Sequence, residues 1–138
     1  MTSVKEFLLK GRHLKIEIEE LKEARQEAFE LACSMSVSYS EDKVQTSSQN
    51  SVEQKFISYT SYSEMLDIRI RELTEYRQKM LELINKVDSS IYRSLLIARY
   101  IDCKSWEKVA EAIGYSDKWV RTGLHSASLK AVQKVLNK

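Results

Sequence analysis

Seven residues near the C-terminal end of the chain carry side chains suited to recognising base edges and phosphates. They are Ser116, Asp117, Lys118, Trp119, Arg121, Thr122 and His125, all inside the run SDKWVRTGLH. Arginine and lysine reach guanine edges and phosphates, and threonine donates or accepts at either. An aromatic ring stacks on a base or touches a thymine methyl. This chemistry recognises a ligand and breaks no bond. Arg121 is the leading contact residue; its competing role is a surface ion pair with a neighbouring carboxylate. Lys118 and Thr122 follow it. For Trp119, packing over a core edge is favoured over stacking on a base. His125 is read as a phosphate contact.

Bond-making chemistry has no comparable residue set. The chain lacks GxGxxG, the Walker loop, HExxH and GxSxG, each of which places a nucleophile, phosphate cradle or metal. Asp102, Cys103 and Lys104 are adjacent, but neither a base nor an oxyanion hole accompanies them. We therefore expect no enzymatic activity and no cofactor. His13 and His125 have no ligand-spaced partners, so no metal is expected. Cys33 and Cys103 lack CxxC spacing and read as reduced thiols of a cytoplasmic protein.

The elements that position these residues can be read locally. Ser105 is placed to cap a helix that runs through Ile113. Gly114 stands where the helix must stop, and Ser116 caps the next helix, which runs to about Leu136. Val109, Ala110 and Ile113 face inward from the first helix, and Val120 and Leu124 from the second, with Trp106 also in the core. Tyr115, in the turn, is placed to close the corner. Two short helices joined by a glycine turn make a helix-turn-helix. The N-terminal end of its second helix would then enter a major groove.

Composition agrees with an all-α fold. The 138 residues include 3 Gly and no Pro, too few for a turn-rich β fold. Charge is uneven. Residues 1–50 hold 7 basic and 9 acidic side chains, residues 51–103 hold 8 and 8, and residues 104–138 hold 7 and 3. The basic excess lies with the candidate recognition residues. No apolar run is long enough for a membrane span, and the first residues lack signal-peptide architecture.

Upstream, Phe7, Gly11, Leu14, Ile18, Leu21, Arg25, Ala28 and Ala32 recur at alternating four- and three-residue steps. Tyr59, Ser63, Leu66, Ile70, Leu73, Arg77, Met80, Ile84 and Val87 form a second such stripe. Residues 34–51, rich in Ser, Thr, Asn and Gln, read as a connector, with a phosphorylated regulatory tract as the alternative. The expected organisation is a long antiparallel helical hairpin over 1–87 and a helix-turn-helix domain over 88–138. Asp88-Ser89-Ser90 separates them. A helix over Ser90–Ile101 and a turn at Asp102-Cys103-Lys104 precede the capped pair. Such a hairpin buries one stripe per helix and suits oligomerisation, with a dimer favoured.

Residues 92–132 resemble region 4 of bacterial sigma factors. The similarity rests on Arg99-Tyr100, Asp102, Ser105-Trp106, Glu107-Lys108-Val109-Ala110-Glu111, Gly114, Ser116, Val120-Arg121, Leu124-His125 and Ala127. No region 2 accompanies it. A long helical N-terminus before such a module is similar to phage transcription regulators, such as late-gene activators of the ArpU and RinA types. The resemblance implies a sequence-specific regulator that binds double-stranded DNA, with the N-terminal helices expected either to oligomerise or to hold RNA polymerase. Ser126 and Ser128 stand where sigma factors often carry basic residues, which lowers the expected salt dependence. Two rivals remain. One is a packaging protein resembling the small terminase subunit. The other is an adaptor of RNA polymerase that does not touch DNA.

Overall fold

The computed structural model describes residues 3–41 and 46–138, and the surroundings of the side chains at 3–34 and 53–138. The described residues form helices and no strands: α1 (Val4–Glu41), α2 (Thr46–Asn85), α3 (Ser90–Leu96), α4 (Trp106–Ile113), α5 (Asp117–Trp119) and α6 (His125–Leu136). Two π turns, Ile97–Ile101 and Val120–Leu124, extend α3 and join α5 to α6. The all-α expectation holds. Among the described residues, no helix is long and apolar enough to cross a membrane.

The stretch expected as a connector at 34–51 is helical on both flanks. Helix α1 continues to Glu41 and α2 begins at Thr46; residues 42–45 lie outside the described residues. Serine-rich composition suggests a loop, but serine is only moderately unfavourable in a helix. Residues 34–51 contain no Gly or Pro, the residues that most readily stop a helix.

The described residues fall into two compact units, Ile16–Arg71 and Met1–Lys15 with Glu72–Lys138. Within the first, Ile18, Ala28, Ala32 and Leu66 are buried. Glu17 Oε1 accepts from Arg69 Nε at 2.6 Å. Phe29 tilts against Tyr59 with ring centroids 5.4 Å apart, and the Arg25 guanidinium lies 6.0 Å from the Tyr59 ring centre. Ile70, expected in the stripe, is 42% exposed. The seven-residue step from Leu66 to Leu73 carries the buried line past it.

The second unit holds the larger core. Leu8, Met80, Ile84, Leu95, Leu96, Val109, Val120 and Val132 are fully buried, and Tyr100 nearly so. Gly11 lets α2 approach α1, because a Cβ there would overlap Met80 Sδ. Tyr76 donates from its hydroxyl to Phe7 O at 2.7 Å. Its burial holds the phenol pKa above the ordinary value.

The turn after α3 is closed by guanidinium groups. Arg77 donates to Ile101 O at 2.8 Å, and Arg12 donates to Arg99 O at 3.1 Å. Arg99 donates to Lys104 O at 3.0 Å. The bonds to Arg99 O and Ile101 O satisfy carbonyls that a helix end leaves without partners, and the bond to Lys104 O satisfies a carbonyl of the turn. They explain why arginine interrupts the apolar stripe of α2 at position 77. Cys103 takes the left-handed conformation here, with φ 57°, which is uncommon for a side-chain-bearing residue. Arg93 closes the end of α2 in the same manner, donating to Val87 O and Asp88 O at 2.5 and 2.8 Å.

Candidate nucleic-acid interface

Local chemistry sets the ends of α4 and α5. Ser105 Oγ accepts from Lys108 N–H at 3.4 Å, and Ser116 Oγ accepts from Trp119 N–H at 3.2 Å. Each satisfies one of the N–H groups that a helix start leaves free. Between them Gly114 ends α4 with φ 78°. A side chain would be strained in this conformation, and glycine adopts it at little cost. Helix α4 packs against α3, α5 and both π turns.

The helix that begins at Asp117 has two contrasting sides. Val120 is fully buried, and Leu124 packs against the core. Lys118, Trp119, Arg121 and Thr122 are exposed. Arg121 Nη2 contacts Asp117 Oδ2 at 2.8 Å, with both side chains at the surface (54% and 35% exposed). The ion pair read as Arg121's competing role is thus formed. A surface pair of this kind stabilises by about 1 kcal/mol or less, so a phosphate or a base edge can displace it. Asp117 Oδ1 is buried and makes no hydrogen bond. Thr122 Oγ1 donates to Lys118 O at 2.6 Å, which occupies its hydroxyl proton and leaves its lone pairs as acceptors.

Trp119 is 51% exposed, so it does not pack over a core edge as expected. Its six-membered ring lies over Gly123, where a Cβ would overlap it. Gly123 therefore acts as a platform that lets a large ring lie along the helix with one face to solvent. Tyr115, expected to close the corner, is 43% exposed in the turn just before. Two exposed aromatic rings thus flank Ser116. Pattern reasoning misses Tyr115 as a surface group because its exposure depends on the direction the chain takes after Gly114.

His125 is separated from this surface. In an α-helix, residues 118, 122 and 125 share a face. The π turn over Val120–Leu124 closes its hydrogen bonds five residues apart and rotates His125 and its successors out of that register. The imidazole Nε2 lies 2.5 Å from the Tyr100 hydroxyl. The Tyr100 ring stacks beside it at 5.8 Å, and Trp106 meets it edge-on at 4.6 Å. Burial, with Lys5 and Arg99 adding to it, lowers the His125 pKa to about 4. The ring is neutral near pH 7 and offers no cation to a phosphate. Burial also raises the Tyr100 pKa. Trp106, expected in the core, is half-buried under the Arg99 guanidinium, 4.2 Å from its ring centre.

Ser126 and Ser128 differ in surroundings. Ser126 is exposed, whereas Ser128 is fully buried and donates to Leu124 O at 2.7 Å. A basic residue at 128 would not reach solvent here. Of the seven predicted residues, the fold therefore gathers Ser116, Asp117, Lys118, Trp119, Arg121 and Thr122 on one helix start and places His125 elsewhere. Among the described residues, no group of three or more His, Cys, Asp or Glu could hold a metal ion.

Residues 33–132 match a family described as a protein of unknown function, DUF1492. The chain belongs to the DUF1492 family. No curated protein and no solved structure matches it. The DUF1492 region reaches from the last described side chains of α1 into α6 and takes in every exposed residue of the candidate interface. It also includes Tyr100, Trp106 and His125, the aromatic group behind that interface.

Proposed function

We propose that α4 and the helix beginning at Asp117 act as a helix-turn-helix that binds double-stranded DNA, and that this DUF1492 protein is a phage-type transcription regulator without enzymatic activity. The observation that carries the reading is the exposed set Lys118, Trp119, Arg121 and Thr122 on a helix start capped by Ser116, with Val120 buried behind it. A helix end of this kind presents N–H groups, cations and an aromatic face to one ligand. The sigma region 4-like spacing of residues 92–132 gives further support, as does the basic excess over 104–138.

In this proposal α1 and α2 form an antiparallel hairpin that supplies a dimer or an RNA polymerase contact. Paired recognition helices would then read half-sites about one DNA turn (~34 Å) apart. A gel-shift titration at low salt with DNA from upstream of its own gene tests the reading. Changing Lys118 and Arg121 together to Ala should weaken binding by ~1–3 kcal/mol for each good base contact. Unchanged partner binding and no DNA shift by folded protein would support the polymerase adaptor instead. The Asp117–Arg121 pair gives a sharper test. Replacing Asp117 with Asn removes a charge that repels phosphate and frees Arg121. Affinity should rise several-fold, and the salt slope should steepen by up to about 1.

A further inference from the structure

The far end of the same helix carries a different surface. Two cavities lie side by side within the larger unit and share Lys86. The first has a volume of about 320 Å³ and is lined by Val4, Phe7, Leu83 and Leu136, with Lys79 and Lys86. The second, of about 230 Å³, is lined by Tyr92, Ala131 and Val135, with Lys86, Lys134 and Lys138. Leu136 is 53% exposed. Glu82 lines the first and Asp88 the second, so four lysines face two carboxylates. None of the four lysines forms an ion pair among the described residues.

The chemistry selects the kind of occupant. The cavities are at or below the low end of small-molecule pockets, and their size suits side chains inserted by a partner. Their walls are largely apolar, and lysines outnumber carboxylates among their charged groups. A nucleic-acid backbone would satisfy the lysines but leave Phe7, Leu83 and Leu136 exposed to water. A partner carrying both apolar anchors and carboxylates would cover both, and buried anchors supply most of the affinity in such contacts. We propose that this double cavity docks an acidic amphipathic segment of another protein. Its apolar side chains seat against Phe7, Leu83 and Leu136, and its carboxylates meet Lys79, Lys86, Lys134 and Lys138. The site lies some 18 residues along the helix from Lys118, roughly 27 Å at the helical rise. A DNA duplex and the acidic segment can therefore be held together. The proposal does not depend on DNA binding.

The test uses the full chain and a fluorescein-labelled helical peptide of about 16 residues, long enough to form a helix. Its leucines stand at three- and four-residue steps with glutamates between them. Anisotropy should show saturable binding. The Lys86→Glu and Leu136→Asp variants, both at exposed positions, should each weaken it by about tenfold or more. Circular dichroism confirms that they fold. A peptide with lysine in place of glutamate should bind at least about tenfold more weakly. Absence of saturable binding, or binding by both variants as tight as that of the native chain, overturns the proposal. So does an equal loss of duplex DNA or anionic phosphatidylserine vesicle binding in Leu136→Asp, which would assign the surface to nucleic acid or membrane. Peptide binding that survives the Lys118/Arg121 double change, while DNA binding does not exist in either protein, sinks the DNA reading alone.

Discussion

Two turns in the C-terminal half of the chain solve the same problem in opposite ways. The turn after Ile113 closes with its own neighbours: Gly114 takes the left-handed conformation, and Ser116 caps the helix after it. The turn after Ile101 closes with distant side chains, from Arg77 24 residues away and Arg12 87 residues before Arg99. The difference has a functional side. Local caps use serine and glycine and leave Lys118, Arg121 and Trp119 at the surface. Long-range caps consume their guanidinium groups, so Arg12 and Arg77 are committed to carbonyls despite their charge, and Arg99 spends its own on Lys104 O within the turn. Charge counting alone would have credited all of these cations to a ligand.

The largest effect expected from this comparison is on stability at the second turn. Arg77→Met keeps the aliphatic stem but removes the donor to Ile101 O. A carbonyl stripped of its partner costs about 1–3 kcal/mol, and chemical denaturation of the full chain measures it. A loss below about 0.5 kcal/mol, the size of an ordinary surface change, would break the comparison, since water or Arg12 would then be enough to close the turn. The Nε atoms of Arg77 and Arg99 are buried without hydrogen-bond partners, a further cost that the carbonyl contacts offset, helped at Arg99 by the Trp106 ring.

At the local turn the expected effect is smaller. Ser116→Ala removes one acceptor from Trp119 N–H and should cost ~1 kcal/mol. It should also loosen the start of the helix that presents Lys118 and Arg121. A change there that left stability unaltered would mean that the N–H group is already well served by water, and the local cap would lose its place in the contrast.

Legibility in the sequence divides along the same line. Ser105, Gly114 and Ser116 signal their roles because cap, stop and restart lie within a dozen residues. The stripes of α1 and α2 are legible because burial recurs with the helical period. Arg77 stands out only as an interruption, since its carbonyl partner lies on another element. The helical flanks of 34–51 escape notice because serine content outweighs the absence of any helix-stopping residue. Trp119 is misjudged because Gly123, four residues on, gives its ring a seat outside the core. His125 is misplaced because a π turn shifts its register, and no residue type within Val120–Leu124 announces a π turn.

His125 offers the smallest effect, and it tests the register shift directly. Its ordinary pKa of 6.5 is lowered to about 4 in the folded chain, chiefly by burial. As pH falls below 6.5, the unfolded chain takes up a proton that the folded chain refuses until about pH 4. The unfolded state therefore binds more protons in that window, and stability must drop as pH falls through it and then level off. The ring is only partly buried, so solvent screening reduces the drop to the order of 1 kcal/mol. Carboxylates titrate in the same range, so the measurement is a difference. The denaturant midpoint of the native chain should fall more steeply between pH 6.5 and 4 than that of His125→Gln. Parallel curves would mean that the imidazole titrates freely, as it would on the same face as Lys118 and Thr122, and the separation of His125 from the proposed DNA surface would fail.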